Sequence, residues 1–89
     1  MKFYEFKTDK FEYYALIGAD SMEDAIKEYV EEVCDIEEVD KKQQPTELTR
    51  EQAITQYGYG VKNDHYLKEF ERYTSEYNPC LLLIDGCLL

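Results

Sequence analysis

The stretch KFYEFKTDKFEYYALIGADSMEDAIKEYV, residues 2–30, decides the fold. Its runs KFYEFK and FEYYALIGA are rich in aromatic and β-branched residues and flank the polar TDK, which is the pattern of a β-hairpin. Within the second run, Phe11, Tyr13, Ala15 and Ile17 alternate onto one face. The period then changes: Met22, Ala25, Ile26, Tyr29, Val30 and Val33 recur as one helical stripe. Ser21 stands at the capping position, with Asp24 at the third helical residue. The helix is expected to reach about Cys34. Residues 34–40 read either as its continuation, through Ile36 and Val39, or as a short edge strand.

Downstream, KKQQP at 41–45 is a loop, and Thr46 or Thr49 caps a helix from Arg50 to Tyr57 that Gly58 is expected to end. Asn63 or Asp64 opens a third helix with Tyr66, Leu67, Phe70, Tyr73, Thr74 and Tyr77 on one side, stopped by Asn78-Pro79. The chain closes with CLLLIDGCLL. Its unalternating apolar start, Cys80 to Ile84, predicts a strand covered on both faces, and Asp85-Gly86 predicts a tight turn into a short return strand. The expected fold is therefore α+β: an antiparallel sheet from N-terminal and C-terminal hairpins packed against about three helices, with residues 1–89 as a single domain.

Composition narrows the classes of function. Hydrophobic residues make up 44% of the 89 and aromatics 15%, too much for a disordered tail. The sequence has no apolar run of membrane-spanning length, and MKFYEFKTDKFEYY places charge where a signal peptide needs an apolar core, so a cytoplasmic protein is expected. Three cysteines, Cys34, Cys80 and Cys87, are an odd number without CxxC spacing, which predicts free thiols in a reducing compartment.

Charge is the feature that asks for an explanation. Residues 20–40 hold Asp20, Glu23, Asp24, Glu28, Glu31, Glu32, Asp35, Glu37, Glu38 and Asp40 against the single base Lys27, so nearly all of the net charge of −10 belongs to one segment. On the helix, Asp24, Glu28, Glu31 and Asp35 form a stripe opposite the apolar face, with Glu32 flanking it. Asp24–Glu28, Glu28–Glu32 and Glu31–Asp35 are like-charge pairs four residues apart, each costing about 0.2–0.5 kcal/mol. Glu31, Glu32 and Asp35 also lie toward the negative end of the helix dipole. Stability alone would favour Lys there, whereas a cationic partner would supply the missing charge. One carboxylate per turn of about 5.4 Å approximates the spacing of a phosphate strand, so a basic groove could accept either. With eight Lys, only two Arg and a negative field, the chain itself is not expected to bind nucleic acid.

A short, acidic, Tyr-rich and Lys-rich chain with a hairpin and then an S-x-E-x-A-I helix (Ser21, Glu23, Ala25, Ile26) resembles the small accessory proteins of phages and mobile elements. Among these are anti-CRISPR proteins and other acidic inhibitors of nucleic-acid enzymes. The resemblance implies a stoichiometric inhibitor without an active site or cofactor, acting in a bacterial host on a protein with a basic nucleic-acid-binding surface. The partner-binding residues expected from charge are Glu23, Asp24, Glu28, Glu31, Glu32, Asp35, Glu37 and Glu38. Tyr57 and Tyr59, beside the Gly turn, are candidate aromatic anchors, as are Tyr4 and Tyr14 on the outer strand face. Tyr29, Tyr66, Tyr73 and Tyr77 are assigned to the core.

Other chemistry is thin. His65 reads as an exposed or capping residue at the start of the third helix rather than a catalyst. Cys34, His65, Cys80 and Cys87 offer zinc-type ligands without any close Cys pair, so no metal is expected. GYG at 58–60 lacks the remainder of a phosphate loop. The competing class of function is a structural or interaction module, homodimeric through the apolar C-terminal strand, with its acidity serving solubility.

Overall fold

The computed structural model describes residues 1–8, 11, 13–33, 44–62 and 64–84. The expected first hairpin forms: β1, Lys2–Phe6, pairs antiparallel with β2, Ala15–Ala19, placing Lys2 opposite Ala19 and Phe6 opposite Ala15. β2 is shorter than the run FEYYALIGA. Phe11 belongs to the connection instead, where its N–H donates to the Lys7 carbonyl at 2.9 Å and its ring meets Phe6 edge-on at 4.9 Å.

The first helix, α1, spans Met22–Glu32, and the Ser21 hydroxyl accepts the Asp24 N–H at 3.2 Å. Ala25 and Tyr29 are buried, with Met22, Ile26 and Val33 packed around them. Val30, expected on the same stripe, is 37% exposed because it sits about 100° around the helix from Tyr29. Tyr29 stacks on Phe6 at 4.5 Å. Its hydroxyl donates to the Tyr13 carbonyl at 2.8 Å and accepts the Tyr13 N–H at 3.2 Å. One side chain thus satisfies both backbone groups of a residue just outside the sheet. Tyr29→Phe should cost about 1–2 kcal/mol by urea denaturation, since it strands two partly buried polar groups. An unchanged midpoint would show that water replaces the hydroxyl without loss.

A strand that sequence reading missed follows. β3, Thr46–Leu48, pairs antiparallel with the other side of β1. The second helix, α2, runs over Arg50–Val61 behind a full capping box: the Thr49 hydroxyl accepts the Gln52 N–H at 3.1 Å, and the Gln52 side chain accepts the Thr49 N–H at 2.9 Å. Gly58 does not end it. The helix continues through Gly58 and Gly60 and closes on Lys62 in the left-handed region, φ 53°. A Cβ on Gly58 would lie 3.0 Å from the Tyr66 ring, and one on Gly60 would lie 2.5 Å from a Leu83 methyl. These glycines therefore serve close packing, not termination.

The third helix, α3, spans Tyr66–Glu76, and β4, Cys80–Ile84, pairs antiparallel with β2, so the sheet order is β3-β1-β2-β4. A bulge shifts the β2–β4 register: Leu16 faces Leu83 and Ile17 faces Leu81, which leaves Leu82 as the extra residue and puts Leu82 and Leu83 in the same core cluster. The fold is α+β, as expected, with both faces of the sheet covered. Tyr4, Phe6, Ala15, Ile17 and Ala19 form a core with α1, while Phe3, Leu16, Cys80 and Leu82 form another with Ala53 and Tyr57 of α2 and Phe70 of α3. Two-sided coverage explains why all five residues of β2 are buried. Residues 34–40, the Asp85-Gly86 turn and its return strand lie outside the described residues. Among the described residues, no helix is long and apolar enough to cross a membrane.

Candidate functional site

The outward side of α1 carries the charge. Turning Ala25 and Tyr29 onto the sheet leaves Glu23, Asp24, Glu31 and Glu32 exposed, with Glu28 half-buried. Glu23 and Asp24 occupy the first turn, where the helix dipole favours them, but the last turn has no basic residue to offset Glu31 and Glu32. None of the acids on α1 pairs with a cation among the described residues, whereas elsewhere Lys7 pairs with Glu5 at 3.7 Å and Arg72 with Glu76 at 3.8 Å. Glu28 shows the consequence. Burial, then the charges of Glu32 and Glu31, hold its carboxyl above the usual range. Asp35, Glu37 and Glu38, the rest of the expected acidic surface, lie outside the described residues.

The aromatic anchors need correction. Tyr57 is 2% exposed, held in the core of α2 and α3, and its hydroxyl donates to Glu69 at 3.1 Å. It cannot serve as a surface anchor, because the helix continues past it and turns it inward. Tyr4 is equally buried, under α1, and Tyr14 is half-buried with its hydroxyl on Glu5 at 2.7 Å. Tyr59 is exposed, at 71%, but it projects from α2, in the layer across the sheet from α1. The structure does not bring it to the acidic face.

Other tyrosines stand there instead. Beside the start of β4, between α1 and the end of α3, lies a groove of about 440 Å³ lined, among the described residues, by Glu28, Glu32, Tyr73, Tyr77, Pro79, Cys80 and Leu81. Tyr77, assigned to the core by helical spacing, is 54% exposed because α3 ends one residue earlier and Tyr77 is already extended, φ −124° and ψ 137°. Leu67, assigned likewise, is 45% exposed, since Tyr66 takes the inward place against Gly58. The sequence offered one signal for this groove: Tyr77 directly precedes Asn78-Pro79, where helical spacing stops applying.

Of the zinc-type ligands considered, His65 is exposed at the start of α3, and Cys80 is a buried free thiol. Among the described residues, no cluster of side chains is arranged to hold a metal. Burial pushes the Cys80 thiol up to about 11, with Glu28 adding to the effect. Tyr57 and Tyr14 are also raised, by burial and then by their hydrogen bonds to Glu69 and Glu5. In alkaline solution all three groups hold protons in the folded state that they would release when unfolded. Their stabilising contribution is complete below the unfolded pKa values and is lost as pH rises through the folded ones. Stability should therefore fall steadily above about pH 9. Urea midpoints between pH 8 and 11 should show this, and Tyr57→Phe should flatten the slope; a profile level to pH 11 would contradict the assignment.

Fold and site together define an α+β domain with a four-stranded antiparallel sheet between helical layers, one of them the acidic helix α1. The chain belongs to the YosH C-terminal domain family, whose model matches residues 1–83. No curated protein and no solved structure matches the chain significantly.

Proposed function

We propose that the chain is a stoichiometric, non-enzymatic inhibitor that presents the acidic face of α1 to the basic nucleic-acid-binding groove of a CRISPR effector nuclease or a similar enzyme in a bacterial cytoplasm. The observation that carries this reading is the carboxylate row Asp24, Glu28, Glu31 and Glu32, unpaired with any cation among the described residues, on a helix whose other side is fixed against the sheet. A rigid row of negative charge accelerates encounter with a basic surface, and its occupancy of the groove excludes nucleic acid. No cofactor enters this mechanism. The test is competition: the captured partner should be a basic nucleic-acid-binding protein, and the chain should release labelled nucleic acid from it at near-equimolar ratio. A captured partner that keeps its nucleic acid at about tenfold excess of the chain would sink the reading.

Among the described residues β4 stands at the sheet edge, which favours a second reading, a homodimeric interaction module joined through that strand. Sedimentation equilibrium separates the two. A dimer that persists at low concentration and is lost on mutation of β4 supports the module, and a monomer removes it.

A further inference from the structure

Glu28 and Glu32 lie one turn apart on the flank of α1 that faces β4, and they differ from Asp24 and Glu31 in what stands opposite them. Across the groove are the rings of Tyr73 and Tyr77, 6.2 Å apart and inclined at 38°, with Pro79, Leu81 and the buried Cys80 lining the remainder. The groove is open to solvent on the Tyr77 side, where the ring is 54% exposed. Two carboxylates with no paired cation among the described residues thus share a recess with two aromatic faces. A carboxylate attracts any cation, but an aromatic face beside it selects one that is flat and weakly hydrated. Tyr73 already accepts such a group: the Arg72 guanidinium lies over its ring, 5.3 Å from the centroid. Arg72 is tied outward to Glu76 and is not among the groove-lining residues, so it does not neutralise Glu28 or Glu32.

We infer that this groove is a receptor for an arginine side chain of the basic partner, with the guanidinium held against Tyr77 and Tyr73 and paired with the carboxylates of Glu28 and Glu32. The inference rests on the reading of α1 as the partner-facing helix and adds an anchoring point to it. Asp24 and Glu31 supply long-range attraction to any basic surface, while the groove fixes register by taking one side chain. Its volume, about 440 Å³, suits a side chain rather than a strand or helix. Half-burial of Glu28 means that an arriving guanidinium meets a carboxylate less screened by water than those on the outer face.

The test uses the whole chain and N-acetyl-arginine methylamide as the probe, with the lysine counterpart for comparison, followed by nuclear magnetic resonance of the tyrosine rings. Saturable shifts confined to Tyr73 and Tyr77 are expected, with the arginine probe bound at least about threefold tighter than lysine. Tyr77→Ala and Glu28→Gln should each weaken binding about threefold or more, whereas Glu23→Gln, on the opposite flank, should leave it unchanged. Absence of saturation, equal binding of lysine, or an equal effect of Glu23→Gln would overturn the inference. Failure here is distinguishable from failure of the inhibitor reading. A chain that displaces nucleic acid through Asp24 and Glu31 without saturable probe binding refutes the groove alone. Probe binding in a chain whose acidic variants still inhibit fully supports the groove and refutes the acidic-helix mechanism.

Discussion

A chain ending after Pro79 will show no cooperative unfolding transition in urea and no near-ultraviolet signal from ordered tyrosines. β4 supplies the outer partner of β2, matching Ala15 to Ile84, Leu16 to Leu83, Ile17 to Leu81 and Gly18 to Cys80. Without it, a strand buried on both faces is left with an open edge. Both cores lose members as well: Leu81 from the α1 side, and Cys80, Leu82 and Leu83 from the side of α2 and α3. At about 1.5–3 kcal/mol for a fully buried side chain such as Leu82, and less for the half-buried Leu81 and Leu83, the loss is comparable with the lower part of the roughly 5–15 kcal/mol that holds a small domain folded. The control is Leu82→Ala, which should cost about 2–4 kcal/mol and leave a cooperative transition at a lower midpoint. If the truncated chain unfolds at the parent's midpoint, β4 is an appendage and the sheet is complete without it.

The success of sequence reading followed how strongly each segment repeats. β1, α1 and β4 each carry an unbroken aromatic or aliphatic pattern, and each forms where that pattern lies. β3 was illegible because TEL is three residues with no alternation to read, two of them exposed, and its pairing is dictated by β1. α2 was cut short because glycine in isolation reads as a stop, while Gly58 and Gly60 make room for Tyr66 and Leu83, residues outside the helix. The candidate site divides the same way. Charge on α1 follows from helical spacing alone, so the exposure of Glu23, Asp24, Glu31 and Glu32 was readable. The tyrosines beside it were not. Tyr57 and Tyr77 exchanged their expected roles because one helix ran longer than its glycines suggest and the other stopped before its stripe did.

Replacing Glu28, Glu31 and Glu32 together by Gln should raise stability and lower partner affinity, and the opposite signs are what make the experiment informative. Stability rises for two reasons: the like-charge pair Glu28 with Glu32 is worth about 0.2–0.5 kcal/mol, and acids near the helix's negative end about 0.3–1 kcal/mol each. Gln keeps the size and helical tendency of Glu, so neither core should change. Glu28 adds a pH signature. Its carboxyl is held above the usual range by burial and by its acidic neighbours, so its contribution is favourable below the ordinary carboxylate range and is lost as pH rises through the raised value. The parent should therefore gain more stability than the variant on mild acidification from pH 7, measured by thermal unfolding. Affinity moves the other way. Rim ion pairs are worth roughly 0.2–1 kcal/mol each, so three lost charges should weaken binding by about tenfold. The loss should fall largely on the association rate and shrink as salt shortens the screening length. A variant that is more stable and binds equally well at low salt would mean that the carboxylate row is a solvated surface with a stability cost and no partner. A variant that is less stable would mean that Glu28, Glu31 or Glu32 makes a contact holding α1 in place, and the acidic face would then belong to folding rather than recognition.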